Sequence, residues 1–186
     1  MFLQERGPYF YYDNRKRSGE MSDKKQKRLT TALFTVYVLA IIWIILFKMQ
    51  LVPVVTQRSL NLIPFGESVI VNGKLDISEI IYNLLIFVPF GIYMGMLKPN
   101  WSFFKKAAPI FLTSLAFETL QFIFAIGATD ITDLIGNTLG GIIGIGLYFV
   151  FARLFKGKSL QIMNILALIG TVSMVSLIGL LIISNL

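Results

Sequence analysis

Six carboxylates, Glu67, Asp76, Glu79, Glu118, Asp130 and Asp133, follow the first long apolar run of this 186-residue chain. Four of them fall into sets with a carboxamide at helical spacing. Glu79 and Asn83 are four apart, Glu118 and Gln121 three apart, and Asp130, Asp133 and Asn137 fall at i, i+3 and i+7. Each set therefore occupies one helical stripe. Such groups can bind hydrogen-bond donors, hold Mg²⁺ or Ca²⁺ through oxygen, or exchange protons with a reacting group. Glu118 stands well inside an apolar stretch, where an acid is expensive in lipid and marks a functional site by default. The chain has no Cys and no His. That removes thiolate nucleophiles, imidazole bases, disulfides and the usual zinc and copper sites.

The elements that must position these groups are set by composition. The chain is 55% hydrophobic, only 15% charged, and has a mean hydropathy of +0.73, which describes an all-α, polytopic membrane protein. The apolar runs predict five transmembrane spans, about 30–47, 79–97, 107–126, 131–155 and 160–183, each long enough for roughly 30 Å of hydrocarbon. Of the 17 Lys and Arg residues, 14 lie in the first 28 residues, in the Lys98–Lys106 loop or in the Arg153–Lys158 loop. The positive-inside rule places these regions and the N-terminus in the cytoplasm, and the C-terminus outside the cell. All six downstream carboxylates then gather at the outer face. Topology thus accounts for the net charge of +7, and no nucleic-acid partner is expected.

Residues 1–28 read as a basic cytoplasmic tail and 29–186 as the membrane domain. Within the tail, residues 1–20 show no periodicity, and two readings stand side by side. One is a disordered segment. The other places these residues upstream of the natural start, since Lys16-Arg17-Ser18-Gly19-Glu20 can be encoded by a purine-rich ribosome-binding sequence just ahead of Met21. The first apolar run is long and lacks a small-residue cleavage site, so it is expected to remain as an anchor.

Asn83 is expected about one turn inside the outer end of the second span, and Glu118 about 12 Å inside the third. Pro89 removes a backbone donor and predicts a kink near mid-membrane. Together Asn83, Glu118, Gln121, Asp130, Asp133 and Asn137 form a candidate outward-facing ligand pocket, with Arg58 and Glu79 as secondary contacts. Plainer readings exist for two of them: Asp130 as a helix N-cap, and Asn137 as a hydrogen bond to a neighbouring helix. Gly136, Gly140 and Gly144 make two successive GxxxG steps, with Gly141 and Gly146 alongside, and read as helix packing. A phosphate loop is excluded, because no Lys follows and the glycines lie within an apolar helix.

Asn61-Leu62-Ile63-Pro64-Phe65, Asn83 with Phe87-Val88-Pro89-Phe90-Gly91, Glu118 with Gln121, and Asp130-Ile131-Thr132-Asp133 before Asn137-Thr138-Leu139-Gly140 form an ordered set. In order and spacing this set resembles the VanZ-like membrane proteins of bacteria, over about Thr30 to Phe155. Relatives often carry an Arg shortly before the first Asp of the fourth span; this chain has Gly127-Ala128-Thr129 there, and Arg58 is the cation available to replace it. The resemblance implies a multi-pass protein of the bacterial plasma membrane that lowers susceptibility to teicoplanin and related lipoglycopeptides. It implies no particular reaction. Membrane lipids and either a lipoglycopeptide antibiotic or a lipid-linked envelope precursor are the expected partners, without cofactor or metal.

Three classes of function follow. The preferred one is a non-enzymatic protein whose outer pocket binds a lipidated envelope molecule. A transporter or flippase for an envelope lipid intermediate is suggested by the intramembrane acid and the Pro-broken helix, and in so short a chain it calls for a homo-oligomer. A carboxylate-dependent intramembrane hydrolase is the third, disfavoured by the lack of His, Cys and a Ser-Lys dyad.

Overall fold

The computed structural model describes residues 8–46, 59–65, 70–71, 74–75, 77–126 and 128–184. Among them are five α-helices: α1 Pro8–Leu46, α2 Ser78–Leu97, α3 Phe103–Phe124, α4 Ile131–Phe155 and α5 Ser159–Ser184. Four stretches are long and apolar enough to cross a membrane: Ser22–Leu46, Ser78–Leu97, Phe103–Phe124 and Ile131–Leu180. The last is 50 residues long and takes in both α4 and α5. A single 3-10 turn, Lys156–Lys158, divides it, and Lys156 adopts a φ of 43°, which no helix continues through. The fourth and fifth apolar runs of the sequence are the two halves of this stretch. Toward the other terminus the described residues begin with α1 at Pro8.

Helix directions follow from a few contacts. Gly136, Gly140 and Gly144 of α4 lie against the carbonyls of Ile80, Leu84 and Val88 in turn, so α2 and α4 run parallel. Gln121, near the end of α3, donates to the carbonyl of Ile45, near the end of α1, so these two helices finish at the same place. α5 follows α1 from its start. Asn164 donates to Gln26 and accepts from Thr30, while Thr171 lies beside Tyr93, a ring packed on Phe34 and Tyr37.

Sequence explains the tightness of the central pair. A Cβ at Gly140 would fall on the Leu84 carbonyl oxygen and one at Gly144 on that of Val88, so the two backbones meet with nothing between them. Gly136 differs: its nearest neighbours would stand at 3.6 and 3.7 Å, ordinary contact. Below this seam the core is aromatic. Phe34 meets Phe90 edge-on at 5.2 Å, and Phe87 stacks on Phe90 at 5.9 Å. α2 continues as a helix through Pro89. There the Tyr37 hydroxyl donates to the Ile86 carbonyl at 2.6 Å, so a side chain from α1 meets the backbone ladder beside the proline.

Short strands, absent from the sequence reading, lie in the connections between helices. β1 (Ser59–Asn61) pairs in parallel with β4 (Ala128–Asp130), and β2 (Ile70–Val71) pairs antiparallel with β3 (Lys74–Leu75). The first pair ties the α1–α2 connection to the α3–α4 connection. Strands of three residues carry too little alternation to show as a period, and this pairing spans 69 residues of sequence.

The glycine seam yields a graded expectation. Gly140→Ala and Gly144→Ala push a methyl into backbone and should each cost about 1–3 kcal/mol. Gly136→Ala should be neutral or stabilising by up to about 1 kcal/mol, since alanine is the better helix former. Thermal unfolding in detergent, followed by circular dichroism, distinguishes the three; equal losses at all of them would contradict the contact pattern.

Candidate functional site

Where α1 and α3 end and α2 and α4 begin, the structure holds a cavity of about 750 Å³. Its walls are Ile44 and Ile45 of α1, Glu79, Tyr82, Asn83 and Ile86 of α2, Glu118 and Gln121 of α3, Asp133 and Asn137 of α4, and residues 59–63 with Asp130. All six residues of the sequence-derived pocket therefore lie together, with Glu79 beside them. Arg58, Glu67 and Asp76 lie outside the described residues. Glu118 is closer to the end of its helix than expected. α3 stops at Phe124, six residues on, or about 9 Å.

Two of the acids are built into the backbone. Asp130 has extended dihedrals of −127° and 126° and caps α4, its Oδ1 accepting from the Thr132 amide at 2.7 Å. Its Oδ2 accepts from Asn61 Nδ2 at 3.1 Å, and its own amide donates to Glu118 Oε2 at 3.0 Å. Thr129 Oγ1 donates to the Glu118 carbonyl at 3.1 Å. Glu118 thus reaches from α3 to the start of α4 and satisfies a buried donor there, with only 5% of its own surface exposed. The N-cap reading of Asp130 is realised, and it coexists with a place in the cavity wall.

The amides behave differently. Asn137 Nδ2 donates to Ser114 Oγ at 2.9 Å, joining α4 to α3, and Gln121 Nε2 donates to the Ile45 carbonyl at 3.2 Å, joining α3 to α1. Both are almost wholly buried, yet Gln121 Oε1 and Asn137 Oδ1 have no hydrogen-bond partner. Unmet buried acceptors are uncommon in folded proteins. Among the described residues no three acids approach closely enough to hold a metal ion. What the cavity offers is an acceptor-rich surface with carboxylate charge.

Sequence reasoning did not find Asn61, Ser114 or Thr132 as parts of this network. Asn61 also accepts the Ile63 amide at 3.0 Å, and Thr132 Oγ1 accepts the Phe65 amide at 3.1 Å, holding the loop after β1 over the cavity. An Asn two residues before an amide it can accept is a recognisable turn signal; Ser114 and Thr132 carry none. A second cavity, of about 370 Å³, was also missed. It lies on the other side of Glu118 and Asp130 and is lined chiefly by Leu60, Leu62, Leu115, Phe122, Ile131 and Leu134. Leu115 and Phe122 flank Glu118 at i−3 and i+4, so the same α3 stripe changes from apolar to acidic and back.

Comparison with known proteins bears on this end of the molecule. A family model described as VanZ/LLP1 matches residues 34–153, a range that contains every residue lining both cavities. Protein VanZ of Enterococcus faecium is 38% identical over 156 residues, covering 82% of this chain and 92% of that protein. No solved structure matches.

The role of Glu118 separates two substitutions. Glu118→Gln keeps an oxygen for the Asp130 amide and should stay within about 1 kcal/mol of the parent, whereas Glu118→Ala strands a buried donor and should cost about 1–3 kcal/mol. Tm values of the two purified variants test this. A glutamine variant as unstable as the alanine one would mean that the charge, rather than the hydrogen bond, holds the α3–α4 connection.

Proposed function

The chain belongs to the VanZ/LLP1 family, and on that premise we propose a multi-pass protein of the bacterial cytoplasmic membrane whose acidic cavity faces outward and binds a lipidated envelope molecule. By occupying or withholding that molecule it lowers susceptibility to teicoplanin-type lipoglycopeptides. The observation that carries this reading is the gathering of Asn83, Glu118, Gln121, Asp130, Asp133 and Asn137 around one cavity at one end of the bundle. Binding is favoured over catalysis because the Glu118 and Asp130 carboxylates are engaged with backbone amides. An acid held in that way is a poor proton shuttle.

The orientation rests on charge and length. Lys98, Lys105, Lys106, Arg153, Lys156 and Lys158 sit where α2 and α4 end and α3 and α5 begin, opposite the cavity. The positive-inside rule puts that end in the cytoplasm. The 50-residue stretch is about 75 Å of helix, far more than roughly 30 Å of hydrocarbon requires. It crosses twice, out to in along α4 and in to out along α5, which makes five crossings with the C-terminus outside.

The absence of Cys makes topology directly measurable with single introduced cysteines and an impermeant thiol reagent on intact cells. Asn72→Cys and Ser184→Cys should label; Asn100→Cys and Gly157→Cys should not. Labelling at Asn100 would move the cavity to the cytoplasm and end the proposal.

Function is tested by expression in a susceptible Gram-positive host. Tolerance should rise more for teicoplanin than for vancomycin, because an acyl chain adds membrane partitioning. Asn83→Ala and Asp133→Asn should erase that difference at unchanged protein levels, while Lys105→Ala and Lys106→Ala should leave it intact. Equal protection by the parent and the cavity variants would remove the cavity from the mechanism.

A further inference from the structure

The acidic cavity and the apolar one share a wall made of Leu60, Leu62, Glu118 and Asp130. One side of this partition adds carboxylates and carboxamides to isoleucines and leucines; the other presents leucines and Phe122. Leu115 and Phe122 are 41% and 39% exposed on the flank of α3, so the apolar side opens toward the surroundings of the bundle. For a membrane-spanning helix those surroundings are lipid chains. The two sides differ by a change of chemistry across a single wall, which is the form of an amphiphile.

The headgroup side can be read further. Gln121 Nε2 donates to the Ile45 carbonyl, an atom that only accepts, and this fixes which way the amide faces. Its oxygen is consequently an acceptor, buried and unpartnered, in a residue only 6% exposed on the cavity wall. Asn137, 2% exposed, leaves Oδ1 unpartnered on the same cavity. Glu79 and Asp133 add carboxylates to the lining. The carboxylates repel an anion, and the Gln121 oxygen is an acceptor left without a donor.

Resting on the binding function proposed above, we infer that the site takes a single amphiphile astride this wall. Its headgroup carries hydroxyl or ammonium donors and no net negative charge and lies in the acidic cavity. Its hydrocarbon chain lies in the apolar cavity, having entered sideways from the bilayer between α3 and the loop after β1. A glycosyl lipid and an aminoacylated lipid share the required donor chemistry. An unmodified anionic phospholipid has the wrong sign.

The test uses the full chain in detergent micelles with three lipids of identical acyl chains at equal concentration: glucosyl-diacylglycerol, lysyl-phosphatidylglycerol and phosphatidylglycerol. Native mass spectrometry should find each of the first two retained about tenfold over the third, a difference of about 1.4 kcal/mol. Asp133→Asn should narrow the preference for the lysyl lipid. Leu115→Trp, at a part-exposed position that tolerates bulk, should reduce retention of long-chain glucosyl lipid while leaving displacement by octyl glucoside unchanged.

Equal retention of all three lipids, or preference for phosphatidylglycerol, overturns the headgroup assignment. A Leu115→Trp effect that is the same for long and short chains overturns the division between cavities. Either result leaves the antibiotic-tolerance difference and its dependence on Asn83 and Asp133 to stand or fall by themselves, so failure of this inference is distinguishable from failure of the proposed function.

Discussion

Backbone contact between α2 and α4 is the constraint on which this molecule depends. Apolar side chains gain little by leaving lipid for one another, so helices hold together where their backbones approach closely and dispersion is dense. Gly140 and Gly144 provide that approach against Leu84 and Val88, and Gly91 returns it against Gly141 from the other side. The parallel register that results sets Asn83 beside the first turns of α4. Asp133 and Asn137 then line the same cavity as Asn83.

The acids are accommodated by a different device. Taking a carboxylate out of water is costly unless its oxygens find donors, and here the donors are mostly backbone amides at a helix start. Asp130 caps α4 while Glu118 takes the Asp130 amide, and Asn61 completes the set from β1. Three separate parts of the chain are consequently fixed to one another by hydrogen bonds to buried carboxyl oxygens. The amide oxygens of Gln121 and Asn137 are the exception, buried without partners in the same neighbourhood.

Much of this was legible in the residues. Hydrophobic length placed α2 and α4 to within a residue, and the i, i+3, i+7 stripe put Asp130, Asp133 and Asn137 on one face. The start of α3 was misplaced because Lys105-Lys106 interrupts the apolar run, although both lysines lie within the first turn of a helix beginning at Phe103. Gly136 was indistinguishable from Gly140 by spacing, since a GxxxG pattern does not record where a neighbouring backbone passes. The β1–β4 pairing and the Asn61–Asp130 bond join residues 69 apart and leave no local trace. Nor did Ser114 announce itself, because its role exists only once Asn137 stands opposite.

The two ends of the bundle are built on opposite principles, and this division has a mechanical consequence. Around Pro89 the interior is filled by Phe34, Tyr37, Phe87, Phe90 and Tyr93, with the Tyr37 hydroxyl bonded into the α2 ladder. Such packing has few ways to deform. α5 packs on this core through Leu160, Met163 and Ala167, and among the described residues it takes no part in lining either cavity. At the other end, volume is left open and the helices are held by hydrogen bonds and one short strand pair. Local opening favours regions with little buried apolar contact, so the β1–β4 closure and the loop after it are the parts able to yield while the aromatic half keeps α2 and α4 in register. The alignment of Asn83, Asp133 and Asn137 along the cavity rests on that register.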